Sequence, residues 1–110
     1  MADNRQRILY IEDNLDNRTL AQRILMASGY EVFVAASGAE GLELAARERP
    51  TLILVDINMP EIDGYAVTSR LREMPHLARV PIIALTANVM RGDREKTLAA
   101  GCDGYIQKPI

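Results

Sequence analysis

Apolar residues recur along the chain in five short, continuous blocks: Ile8-Leu9-Tyr10-Ile11, Val32-Phe33-Val34-Ala35, Leu52-Ile53-Leu54-Val55, Ile82-Ile83-Ala84-Leu85 and Tyr105-Ile106. Most are β-branched or aromatic, and they do not alternate with polar residues. Such runs fit strands covered on both faces, as in a parallel sheet. Segments of helical spacing lie between them. Leu20, Ile24 and Ala27, with Ala21 and Leu25 beside them, make one stripe. Ala39, Leu42 and Ala46 make a second, and Val67, Leu71 and Met74 a third. A fourth helix is expected over Asn88–Ala100, where Arg91, Asp93, Arg94, Glu95 and Lys96 leave the least apolar surface. It reads either as a solvated face or as a helix packed loosely enough to move.

The punctuation agrees. Gly29 follows the first helix, Gly38 precedes the second, and Pro50, Pro75 and Gly101 close the second, third and fourth. Strands alternating with helices, beginning and ending on a strand, predict an α/β fold with a parallel sheet, right-handed crossovers and helices on both faces. No repeat, linker or low-complexity stretch interrupts the pattern, and 110 residues suit one domain. With 48% apolar and 25% charged residues the composition is that of a folded chain. A net charge of −2 supplies no basic footprint for nucleic acid. No run approaches the roughly 20 apolar residues of a membrane span, and the first residues do not resemble a signal peptide, so a cytoplasmic location is expected. The single Cys102 excludes an internal disulfide framework and a cysteine-based zinc site.

Open α/β sheets bind ligands beyond the carboxyl ends of their strands, where strand order reverses. Glu12-Asp13 leave the first strand, Asp56 the third, Thr86 the fourth and Lys108 the fifth, while Ala36-Ser37 after the second carry no evident chemistry. Each group has a plain structural use. Glu12-Asp13-Asn14 suits a helix cap, Asp56 before Met59-Pro60 suits a turn, and Thr86 and Lys108 suit a strand end and a surface. Together at four strand exits they describe a site. Three crowded carboxylates repel by about 4 kcal/mol per pair at 4 Å and an effective dielectric near 20, unless a cation lies among them. Oxygen-only ligands favour Mg²⁺ or Mn²⁺. Lys108 and the Thr86 hydroxyl suit phosphate oxygens. A carboxylate beside a divalent cation can attack phosphorus to give an aspartyl phosphate.

These stretches resemble the receiver domain of two-component response regulators. Ile8 to Asn14 looks like that family's first strand and acidic pair, and Leu54 to Pro60 with Asp63-Gly64 like its phosphoacceptor strand and loop. Pro81 to Ala87 and Gly104 to Pro109 look like its fourth and fifth strands. The resemblance implies a flavodoxin-like, chemotaxis-receiver-like three-layer α/β/α sandwich with strand order 2-1-3-4-5. It implies that Asp56 takes a phosphoryl group from a histidine kinase or histidine phosphotransfer protein. Asp13, Asp56 and the Asn58 carbonyl would hold Mg²⁺ (or Mn²⁺), with Glu12 acting largely through water. Lys108, Thr86 and the N–H groups of Asn58 and Ala87 would hold the phosphoryl oxygens, and Lys108-Pro109 would be cis. Thr86 and Tyr105 would form the switch that reshapes the surface read by a downstream effector or fused output domain. Asn58 and Asn88 occupy positions that tune dephosphorylation and imply a moderate phosphoryl lifetime. Such a protein is a signalling phosphoacceptor that catalyses only its own phosphorylation and dephosphorylation, alone or within a longer enzyme, with no contact to nucleic acid or membrane.

Two alternatives share part of this chemistry. A haloacid-dehalogenase-like phosphohydrolase also joins Asp, Mg²⁺, Thr and Lys, but carries its nucleophile on the first strand with a second Asp two residues on; here that place holds Asn58. A degenerate receiver acting only as a binding module would lack Asp56 or Lys108, and both are present. Four further residues have bland expectations. His76 is placed on the surface in a Pro-flanked loop, Cys102 in packing, and Asn17-Arg18 either on a solvated face or at a kinase contact. The resemblance also implies a fifth helix where the chain reaches Ile110, so residues 1–110 are expected to form a receiver truncated before that helix. Either Ile110 is then a fragment boundary, or the face left open is covered by a partner chain, a dimer among the options.

Overall fold

The computed structural model describes residues 6–56, 64–86 and 101–107. Its five strands are β1 (Arg7–Ile11), β2 (Glu31–Ala35), β3 (Leu52–Asp56), β4 (Ile82–Thr86) and β5 (Gly104–Gln107). Each begins within one residue of the apolar block that predicted it. All neighbouring pairs are parallel, and the order is β2-β1-β3-β4-β5. The helices are α1 (Leu15–Ala27), α2 (Gly38–Glu48) and α3 (Gly64–Arg72), with a 3₁₀ turn at Pro75–Leu77 before β4. The expected fourth helix and the chain beyond Gln107 lie outside the described residues.

Alternation along the strands splits the sheet into two faces. Leu9, Ile11, Ile53, Val55, Ile82 and Ala84 point to one side and pack with Ala45 of α2 and with Val67 and Leu71 of α3. Tyr10 and Leu85 point to the other, where Ala21 of α1 meets them, flanked by half-buried Val34 and Leu54. The result is the three-layer flavodoxin-like sandwich.

Two of the expected helix stripes are turned by one residue. On α2 the buried positions are Gly38, Gly41 and Ala45, not Ala39, Leu42 and Ala46. On α1 Ala21 is buried while Leu20 and Ile24 are 58% and 50% exposed. On α2 the cause is close approach. A Cβ on Gly41 would overlap the Cδ1 and Cγ1 atoms of Ile11. Only small residues fit that line of contact, so weighting positions by hydrophobicity selects the neighbouring line. The α3 reading holds, with Val67 and Leu71 fully buried and Met74 packed against the core from just beyond the helix end.

The helix ends are built from local chemistry. Asn14 caps α1 by accepting from the Asn17 amide at 3.0 Å. Ser37 caps α2 by accepting from the Glu40 amide at 3.2 Å, and Glu40 returns a carboxylate to the Ala36 amide at 3.3 Å. Gly38 is therefore the first residue of α2 rather than its predecessor. Gly29 leaves α1 with a positive φ of 95°, the left-handed geometry glycine adopts without strain.

Arg72 ties the opposite end of the sheet together. Its guanidinium donates to the carbonyls of Leu77 (3.0 Å), Val80 (2.6 Å) and Gly101 (2.8 Å) and pairs with Asp103, whose carboxylate accepts from the Ile82 amide at 2.9 Å. Cys102 is buried in the main core, as expected for a packing residue. His76 is not a free surface group. It is half-buried, with Nε2 2.9 Å from the carbonyl oxygen of Ala45, which fastens the 3₁₀ turn to α2.

Candidate functional site

The chain leaves β1 toward β2 on one side, while β3 lies on the other, so strand order reverses between β1 and β3. Ile11 is level with Val55 across that boundary, and Asp56 is one residue further along β3. Glu12 and Asp13 leave β1 at the same level. Carboxylate oxygens of Glu12, Asp13 and Asp56 come within 4.8 Å of one another. Glu12 and Asp56 are 0% and 2% exposed, whereas Asp13 opens to solvent. Because Asn14 performs the capping, the acidic pair before it is left for another purpose.

Two buried carboxylates and a third at their rim are costly in a low dielectric without compensating positive charge or hydrogen-bond donors. An all-oxygen donor set open on one side fits a hard divalent cation that keeps some of its waters.

Glu12 is held from behind. The Asn17 side-chain amide donates to its Oε1 at 2.8 Å, and Arg18 donates to its backbone carbonyl at 2.8 Å. Tyr10, on the same side of β1, directs its hydroxyl at Oε1 from 3.5 Å. Burial pushes the Tyr10 phenol well above its usual range, helped by the charges of Glu12 and Asp56, so this group stays a donor at neutral pH. Asn17 and Arg18, expected on a solvated face or at a partner contact, both donate to Glu12, while Asn17 stays exposed. Their spacing from Glu12 was visible in the chain, but whether their side chains point in or out was not.

Thr86 closes β4 and its backbone is level with Gln107, the last residue of β5. Tyr105 is level with Ala84. Lys108, Asn58, Ala87 and Asn88 lie outside the described residues.

Comparison with known proteins decides the family. Residues 8–110 match the response regulator receiver domain. The chain belongs to that family. It is 44% identical over 103 residues to the polar-differentiation response regulator DivK of Brucella anthropi, covering 94% of this chain and 84% of that one. The structure resembles the chemotaxis protein CheY4 of Vibrio cholerae with a TM-score of 0.94 and 29% identity, covering 96% and 88% of the two chains. It also resembles the receiver domain of the sensor histidine kinase PA1611 of Pseudomonas aeruginosa, with a TM-score of 0.87 and 43% identity over 96% and 87%. That structure carries a magnesium ion coordinated in its active-site cleft.

This receiver is thus a phosphoacceptor of two-component signalling, and neither the matched family nor these relatives point to a phosphohydrolase. Receivers interact with histidine kinases and output domains. Among the described residues, no helix is long and apolar enough to cross a membrane.

Proposed function

We propose that Asp56 is the phosphoacceptor and that Glu12, Asp13 and Asp56, with the Asn58 carbonyl, hold Mg²⁺ (or Mn²⁺). The observation that carries this reading is the meeting of three carboxylates within 4.8 Å at the β1/β3 reversal point. A bound divalent cation supplies charge neutralisation for the carboxylates and for the incoming phosphoryl oxygens.

A carboxylate oxygen of Asp56 forms the new bond to phosphorus while the bond to the donor imidazole nitrogen breaks, leaving histidine on a kinase or phosphotransfer protein. Lys108 offsets charge on the phosphoryl oxygens, assisted by Thr86 and the N–H groups of Asn58 and Ala87. The catalysis is positioning and electrostatics, confined to the receiver's own phosphorylation and dephosphorylation. Thr86 then moves toward the phosphoryl group, and Tyr105 follows it inward to reshape the surface met by an effector or output domain. A coupling of about 1–3 kcal/mol changes a partner's affinity roughly 5–150-fold.

The test is incubation with Mg²⁺ and acetyl phosphate followed by intact mass. A single phosphoryl addition that Asp56→Ala abolishes is the expected result. No addition, or addition that survives the substitution, overturns the assignment.

A further inference from the structure

Among the described groups around the acidic site, Asn17 stands apart because it serves no packing purpose. It is exposed in the first turn of α1, and the cap of that helix uses its backbone amide, not its side chain. Yet its side-chain amide reaches five residues back to the fully buried Glu12 carboxylate at 2.8 Å. A glutamate has one more rotatable bond than an aspartate at the same place, and so more orientations in which its second oxygen turns away from Asp13 and Asp56. One oxygen fixed by a donor sets the orientation of the other. Arg18 supports the arrangement by holding the Glu12 carbonyl, and the Tyr10 hydroxyl approaches the same Oε1 from within the sheet.

We infer that Asn17 is a positioning residue of the acidic site, orienting Glu12 toward a divalent cation from the first turn of α1. The inference rests on the metal site proposed above. Ligands oriented by a neighbouring donor lose about 10–100-fold in metal affinity when that donor is removed.

The test is calorimetric titration of the protein with MgCl₂, with no phosphodonor present, alongside thermal unfolding. The variants are Asn17→Ala, the near-isosteric Asn17→Leu, Asp13→Asn, Glu12→Ala and the double variant Asn17→Ala/Glu12→Ala. Saturable binding by the parent that Asp13→Asn removes supports the site itself; its absence from the parent overturns both proposals. With the site in place, a loss of about tenfold or more in Mg²⁺ affinity for both Asn17 variants is expected. That loss should vanish in the Glu12→Ala background. Affinity within twofold of the parent for either Asn17 variant overturns the positioning role while leaving the site intact. An equal loss with and without Glu12 overturns it too, since Asn17 would then act through something else. A purely structural role would lower the melting temperature and leave the Mg²⁺ affinity unchanged.

Discussion

Ile53 and Leu54 are neighbours on β3 and point to opposite faces of one sheet. On the Ile53 side α2 and α3 lie across the strands, and Ile53, Val55, Leu9, Ile11, Ile82 and Ala84 are buried to within 1% of fully. On the Leu54 side α1 is the only helix among the described residues. Tyr10, Ala21 and Leu85 are buried there, but Leu54 and Val34 are half-buried, and Leu20 and Ile24 of α1 are exposed. Both faces are made of the same kind of residue, so composition does not explain the difference. Among the described residues the closeness of α2 accounts for part of it: Gly41 lets that helix settle directly on Ile11.

The acidic site draws on both faces. Asp56 ends the strand that divides them, while Glu12 is held from the α1 side by Asn17 and Tyr10. Stability would then reside mainly in the α2/α3 face, and control of the site in the α1 face.

The sharpest way to break this comparison is a pair of truncations. Ile53→Ala should cost about 2–5 kcal/mol by leaving a cavity in a closed core. Leu54→Ala should cost roughly 1–2 kcal/mol, because only part of its side chain leaves water. Equal losses in denaturant unfolding would show that the two faces contribute alike.

Gly41→Ala comes next, at about 1–3 kcal/mol from overpacking against Ile11. The roughly 1 kcal/mol that alanine gains over glycine within a helix offsets part of it. A stabilised variant would mean that α2 is not in close contact with β1.

Alkaline pH probes the α1 face. The Tyr10 phenol is raised in the folded state, so the folded protein binds the proton more tightly than the unfolded chain does. Its contribution to stability is complete below the unfolded value near 10 and declines as pH rises above it, by about 1.4 kcal/mol per pH unit. Unfolding measured from pH 9 to 11 should show this decline, and Tyr10→Phe should remove it.

The smallest effects belong to the outer side of α1. Leu20→Gln and Ile24→Gln should change stability by no more than about 0.5 kcal/mol each. A loss of several kcal/mol from either would place these side chains in a core.

The chemistry was more legible in the chain than the packing was. Glu12, Asp13 and Asp56 could be picked out because each follows an apolar block, and a strand end in a parallel sheet places its next residue at the binding edge. The cap at Asn14, the left-handed exit at Gly29 and the packing of Cys102 also follow from local chemistry, whereas the cap at Ser37 was passed over. Helix faces did not. The stripes of α1 and α2 were each displaced by one residue; at α2 this is because a helix lying close to a sheet turns its smallest residues inward. His76 was expected on the surface and is fastened to Ala45, since one carbonyl within reach decides that matter and no local pattern announces it.

The sequence by itself determined the order of strands and helices, the family and the residues available at the strand ends, since these depend on periodicity and on residue type at fixed spacing. Tertiary structure alone decided which line of α1 and α2 meets the sheet, and that Asn17 and Arg18 donate to Glu12. Those outcomes depend on distances between segments remote in the chain or on side-chain direction, and a sequence pattern carries neither.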